Sequence, residues 1–231
     1  MATASTQEGS APSGMGSARI EDIVNGVFEV HHPLIDCHLT RLRDESTPPD
    51  EFRQHVRRLA TLLAYEATKD LRCNTTKVKT PLVETEGSAL AERIGLIPIL
   101  RAGLGMVDPV LDLIPSAEVW HLGLYRDEAT AQPVEYYSKL PPGRPVDAAL
   151  IVDPMLATGG SVTAALETLQ EWGVGRVKIL SILAAEEGVQ TVASRFPESQ
   201  IYVCRIDPIL NDHKYIVPGL GDAGDRIFNT P

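Results

Sequence analysis

From residue 94 onward, short apolar runs alternate with stretches of helical spacing. Residues 94–100, 148–152, 177–184 and 201–205 are near-continuous apolar runs. Such runs, bounded by turn residues, mark strands buried on both faces, as in parallel sheets. Between them, 106–113, 161–172 and 189–196 carry helical patterns. This alternation predicts an α/β fold, with a mostly parallel sheet flanked by helices. Residues 119–125 and 134–140 are expected to pair as a β-hairpin arm around the polar stretch RDEATAQP. Earlier in the chain, Phe52, Val56, Leu59, Leu63 and Ala67 fall on one helical face. Thr47, Pro48, Pro49 and Asp50 precede them as a helix start, since proline is tolerated in a first turn. Residues 28–30 read as a short strand. Another strand is expected from near Lys77 to Leu82 and Val83. HHPLIDCHLTRLRDEST is left without an element, and YIVPGLGDAGDRIF reads as a loop.

The 231 residues suffice for a sizeable core. Residues 1–18 are rich in Ala, Ser, Thr and Gly and are expected to form a disordered leader. Residues 19–231 are expected to form a single domain. No apolar run approaches a membrane span, and no signal-peptide pattern opens the chain, so a cytoplasmic location is expected. The formal charge of −10 disfavours nucleic acid as a partner. It also means that an anionic ligand must be held by local devices such as backbone N–H groups and a few arginines. Cys37, Cys73 and Cys204 lack C-x-x-C spacing and read as buried structural thiols. The six histidines show no metal spacing. His31, His32 and His213 read as structural or surface groups.

Candidate chemistry lies in the loops beyond the predicted strands, where parallel sheets bind ligands. The stretch ALIVDPMLATGGSVTAALETLQEWG, residues 149–173, passes from strand to helix through small and polar residues. Small residues let a backbone approach a ligand, and a helix N-terminus favours an anion. Thr158 and Ser161 add hydroxyl donors. Asp153 would repel a phosphate but suits sugar hydroxyls or magnesium-bound water. A sugar phosphate is therefore the expected ligand. A side chain at Gly159 is expected to block it while leaving the fold untouched. The alternative is an ordinary turn with Thr158 or Ser161 as the helix N-cap. Neither G-x-x-x-x-G-K-[ST] nor G-x-G-x-x-G opening the first strand–helix unit occurs.

IVDPMLATGGS resembles the phosphoribosyl-pyrophosphate (PRPP) loop of the type I phosphoribosyltransferases, with Pro154 where those enzymes normally carry a second acid. LRAGLGM and YIVPGLGDAGD make the chain more closely similar to the uracil phosphoribosyltransferase family. The similarity runs from about Val27 to the C-terminus and includes HHPLI, LTRLRD and LAYEATKDL. It implies a pentosyltransferase that moves phosphoribosyl from PRPP to uracil, giving UMP and pyrophosphate in pyrimidine salvage. The donor site would comprise Arg101, Arg126, Asp153, Pro154, Met155, Leu156, Ala157, Thr158, Gly159, Gly160, Ser161 and Asp222. Ile216, Gly221, Asp222 and Ala223 would read uracil, mostly through the main chain. Arg126 and Asp222 would be catalytic, although Asp222 equally suits donor contact or a plain turn. The resemblance also implies magnesium carried in with PRPP, no dedicated protein metal site, a homo-oligomer of two or more copies, and GTP as an activator, as in some relatives. An RNA-binding regulator on the same fold, or transfer to another base such as orotate, are the competing readings. For orotate, Arg226 is the one arginine in the C-terminal loop.

Overall fold

The computed structural model describes residues 26–126, 133–138 and 140–231. The proposed leader, residues 1–18, lies outside them. In chain order the elements are β1 (Val27–Glu29), α1 (Pro33–Arg43), α2 (Pro49–Ala67), β2 (Cys73–Lys79), β3 (Glu84–Leu90) and β4 (Ile94–Pro98). A 3₁₀ turn (Ala102–Met106) then leads into α3 (Val107–Leu113), β5 (Glu118–Val119), β6 (Leu122–Arg126) and β7 (Pro133–Ser138). After β8 (Ala148–Val152) come β9 (Met155–Leu156), α4 (Gly160–Trp172), β10 (Val177–Ala185) and α5 (Glu186–Arg195). The chain closes with β11 (Gln200–Asp207), β12 (Ile209–Leu210), β13 (Ile216–Val217) and α6 (Ala223–Phe228).

The main sheet runs β1-β11-β10-β8-β4-β5, with β9 added beside β10. Every pair in it is parallel. Alternate residues of one strand serve two cores, because successive side chains leave a strand on opposite faces. On β8, Ala148, Leu150 and Val152 pack toward α1, α2, α3 and α6. Ala149 and Ile151 pack toward α4 and α5. This double burial explains why the strands read as unbroken apolar runs. The expected fold class is the one observed.

Several boundaries differ from the sequence reading. The segment left without an element forms α1. His32 is its N-cap and accepts from Leu34 N–H at 3.1 Å, with Pro33 following as the first helical residue. The expected strand over 119–125 is two strands, because β5 stays in the main sheet while β6 leaves to pair with β7. That hairpin is the expected arm, and its turn, 127–132, lies outside the described residues. Leu82 and Val83 end no strand. They occupy the exposed turn of a second antiparallel hairpin, β2–β3. Of the cysteines only Cys204 is buried, where burial raises its thiol pKa far above the usual range. Cys37 and Cys73 are exposed.

Candidate active site

The carboxyl end of β8 continues into the loop of residues 153–159. β9 lays this loop against β10, with Leu183 N–H donating to Pro154 O at 2.9 Å. Strand alternation then divides the loop. Asp153, Met155 and Ala157 line a pocket. Pro154 and Leu156 are buried, Leu156 in the core beside α4 and α5. Of the expected donor-binding residues, these two therefore serve to hold the loop, Leu156 by packing in the core and Pro154 also through the carbonyl that accepts from Leu183.

Gly159 is the N-cap of α4, in the left-handed region at φ 84° and with no side-chain cap bond. The cap is thus neither Thr158 nor Ser161. The turn presses the loop onto α5. A Cβ at Gly159 would stand 3.1 Å from Gly188 O and 3.2 Å from Val192 Cγ2. A Cβ at Gly188 would stand only 2.3 Å from Ala157 O. The expectation that a side chain at Gly159 leaves the fold untouched is therefore corrected, because α5 is the floor on which the loop rests. Ser161 is exposed, while Thr158 and Gly160 are half-buried.

The loop after β4 meets the same place. A Cβ at Gly103 would stand 2.4 Å from Val152 O, so the 3₁₀ turn sits directly on the carboxyl end of β8. Arg101 donates Nη2 to Asp225 Oδ1 at 3.1 Å, which joins this loop to α6. Arg126 ends β6, and its side chain is not among the described groups.

Ile216, Gly221, Asp222 and Ala223 line the same pocket from the other side, with Lys214 and Tyr215. The pocket volume is about 200 Å³. Asn211 N–H donates to Tyr215 O at 2.9 Å, and Ile216 faces Leu210 in the next register position. Antiparallel ladders alternate bonded and non-bonded pairs. Ile216 therefore turns its N–H and C=O away from β12. Asp222 is the N-cap of α6 and accepts Asp225 N–H through Oδ1 at 2.9 Å. The expected loop is thus partly ordered as β13 and α6. Arg226 is committed elsewhere. It donates to Leu42 O, to Leu220 O at 2.8 Å and to Asp44 O at 2.6 Å, and stacks over Phe52.

Asp153 keeps some surface in the pocket, while protein atoms pack densely around its carboxyl. Burial pushes its pKa from 3.8 up to about 7, opposed in part by Met155 N–H at 3.2 Å. The folded state therefore holds a proton that the unfolded chain has already lost. Stability contributed by this group falls as pH rises from about 4 to 7, then levels off. Asp153→Asn should stabilise the ligand-free protein by about 2–4 kcal/mol at pH 8 and by nothing near pH 4. Urea melts at the two pH values check this, and an equal difference at both would refute it.

Among the described residues, no three His, Cys, Asp or Glu side chains stand together as a metal cage. Asp153, with its raised pKa, is a weak direct ligand at neutral pH. Asp153 offers a single carboxylate, which would suit water-mediated contact with an ion held by a ligand's own oxygens. Four supporting residues had no role in the sequence reading: Arg43, Gly188, Asp207 and Asp225. Asp207 ends a strand at the carboxyl edge of the sheet, a position that could have marked it. The other three gain their meaning from contacts distant in sequence.

Residues 29–230 match the family model described as uracil phosphoribosyltransferase. The chain is 59% identical over 199 residues to a uracil phosphoribosyltransferase of Roseiflexus sp. (strain RS-1), covering 86% of this chain and 96% of that protein. It is 52% identical to the Symbiobacterium thermophilum protein of that name, covering 88% and 98%. A solved structure from Aquifex aeolicus superimposes with a TM-score of 0.82 at 37% identity, over 87% of this chain and 97% of that one. The chain belongs to the uracil phosphoribosyltransferase family.

Proposed function

We infer that the protein transfers the phosphoribosyl group of PRPP to uracil, forming UMP and pyrophosphate. One observation carries this reading beyond family membership: three loops distant in sequence meet at one pocket. The loop of Asp153 forms one wall and that of Ile216 and Gly221 the other. Arg101 reaches α6 beside them. The pocket is below the usual drug-sized range of roughly 300–1,000 Å³ and suits a single-ring base. In the reaction the uracil N1 bonds to the anomeric carbon as the bond to pyrophosphate oxygen breaks. The transition state resembles an oxocarbenium ion, so catalysis is a matter of placement and electrostatics. The α4 N-terminus and its loop supply N–H donors to the 5-phosphate. Asp153 holds ribose hydroxyls, and Arg101 and Arg126 meet the departing pyrophosphate. Asp222 stands at the rim to take the N1 proton or to contact the donor. Magnesium travelling with PRPP would supply charge neutralisation of the pyrophosphate. Orotate is disfavoured because Arg226 is bound to three carbonyls, and an RNA target is disfavoured by the charge of −10.

The direct test is chromatographic detection of UMP and pyrophosphate from uracil, PRPP and magnesium. Absence of UMP from folded protein would end the reading. Arg101→Ala should lower kcat/KM by about 2–4 kcal/mol in transition-state terms, the scale of one preorganised charge contact. Wild-type efficiency in that variant would remove Arg101 from the mechanism. A cytoplasmic homo-oligomer activated by GTP belongs to the same reading and is supported by family resemblance. Sedimentation and steady-state rates with and without GTP test the assembly and the activation.

A further inference from the structure

The base-side wall of the pocket is gripped from outside by two residues to which the reaction gives no role. Asp207 ends β11 and is only 3% exposed. Arg43 ends α1 and meets it as a fork, Nη1 to Oδ2 at 2.8 Å and Nη2 to Oδ1 at 2.7 Å. The pair also holds both main-chain groups of one loop residue. Arg43 Nη1 donates to Gly219 O at 2.9 Å, and Gly219 N–H donates to Asp207 Oδ2 at 2.9 Å. Gly219 lies at φ 58°, and a Cβ there would stand 2.0 Å from Ile216 O. The gripped turn therefore presses directly on the residue that lines the pocket.

We propose that Arg43 and Asp207 are positioning residues for base selection, holding residues 216–221 where their backbone can read the pyrimidine edge. This rests on the reading that this loop binds uracil. A site that discriminates by hydrogen bonds must hold its groups within a few tenths of an ångström. A loop cannot do so unless something rigid fixes it. A two-pronged ion pair between the buried Asp207 and Arg43, whose side chain is 26% exposed, fixes direction as well as distance, which apolar packing does not. The fork ties the turn to the ends of two main elements, α1 and β11. Arg226 does the same for the adjacent Leu220, bonding to Leu42 O and Asp44 O on either side of Arg43.

The test uses the full chain carrying Arg43→Gln, Arg43→Lys or Asp207→Asn. Uracil KM, donor KM, kcat and the uracil-to-cytosine efficiency ratio are measured for each. Arg43→Gln and Asp207→Asn should raise uracil KM by about tenfold or more, as expected when substrate placement loosens, with donor KM changed less than about threefold. The uracil preference should fall by about tenfold or more. Arg43→Lys keeps the charge but not the fork, so it should recover only part of the loss. A purely structural role would lower melting temperature and active fraction while leaving uracil KM and the base ratio unchanged. Arg93→Gln breaks the ion pair with Glu118 at the opposite edge of the sheet and serves as that comparison. If Arg43→Gln fails to fold, Arg43→Lys and Asp207→Asn give the same readouts. Uracil KM and base ratio within twofold of wild type in the folded variants would overturn the proposal alone. A wild-type enzyme that does not prefer uracil would overturn the underlying reading, and the proposal with it.

Discussion

Cytosine should be used about 10⁴–10⁵-fold less efficiently than uracil, the range open to a site that reads a base by hydrogen bonds. The two bases have nearly the same outline. Cytosine replaces one ring-edge acceptor with an amino donor and lacks the N3 proton. A pocket that senses only size would separate them poorly. Here the wall includes Ile216 at a ladder position that turns its N–H and C=O away from β12. Gly221 and Ala223 add main chain from the same loop. Against cytosine, a buried donor would face a donor and an acceptor would face an acceptor. Each such clash carries the desolvation cost of an unpaired polar group, about 1–3 kcal/mol. A 5-fluoro substituent leaves the edge pattern intact, so 5-fluorouracil should be a substrate. The measurement is kcat/KM for the three bases at fixed PRPP and magnesium. Cytosine within tenfold of uracil would show that the loop does not read the edge, even if phosphoribosyl transfer were confirmed.

Gly159→Val should both unseat the donor and unsettle the fold. Gly159 lies at φ 84°, where a branched side chain is strained, and its Cβ would press on Gly188 O and Val192. The left-handed conformation costs a non-glycine residue about 1–2 kcal/mol. Overpacking against α5 adds about 1–3 kcal/mol. A combined loss of roughly 2–5 kcal/mol lowers the melting temperature of a chain this size by roughly 4–20 °C. The loop relieves the clash by moving away from α5, which shifts its N–H groups off the phosphate. A displacement of about 1 Å can cost roughly 10²-fold in turnover. Calorimetry of donor binding beside thermal melts separates the two effects. Unchanged donor affinity in the folded variant would place the phosphate elsewhere.

The elements most visible in the sequence were those whose environment is simple. β8, buried on both faces, was expected at 148–152 and found there. α2 showed its apolar stripe because one face packs on the core and the other meets water. The loop of residues 153–161 stood out because small and polar residues there lead from a buried strand straight into a helix N-terminus. Helix α1 was obscured by its mixed charge and paired histidines. Its start depends on a His32 cap that is rare among N-caps. Of the hairpin β2–β3 only a misplaced strand near Lys77 to Val83 was expected, because both its faces are exposed and no apolar alternation marks it.

The buried strands from residue 94 onward, the apolar faces and the loops that could meet an anion were legible along the chain, because those properties are local. Which of these residues act together followed from the folded arrangement. Pro154 and Leu156 turn inward because β9 pairs with β10, and pairing partners are not written in either strand alone. Asp222 is a helix cap as well as a pocket residue, and Arg226 is bound to three distant carbonyls instead of facing a ligand. Arg43 and Asp207 lie 164 positions apart and become one device only when α1 and β11 end side by side. Directional interactions of this kind depend on three-dimensional proximity, which closure of long chain loops creates and local residue pattern does not encode.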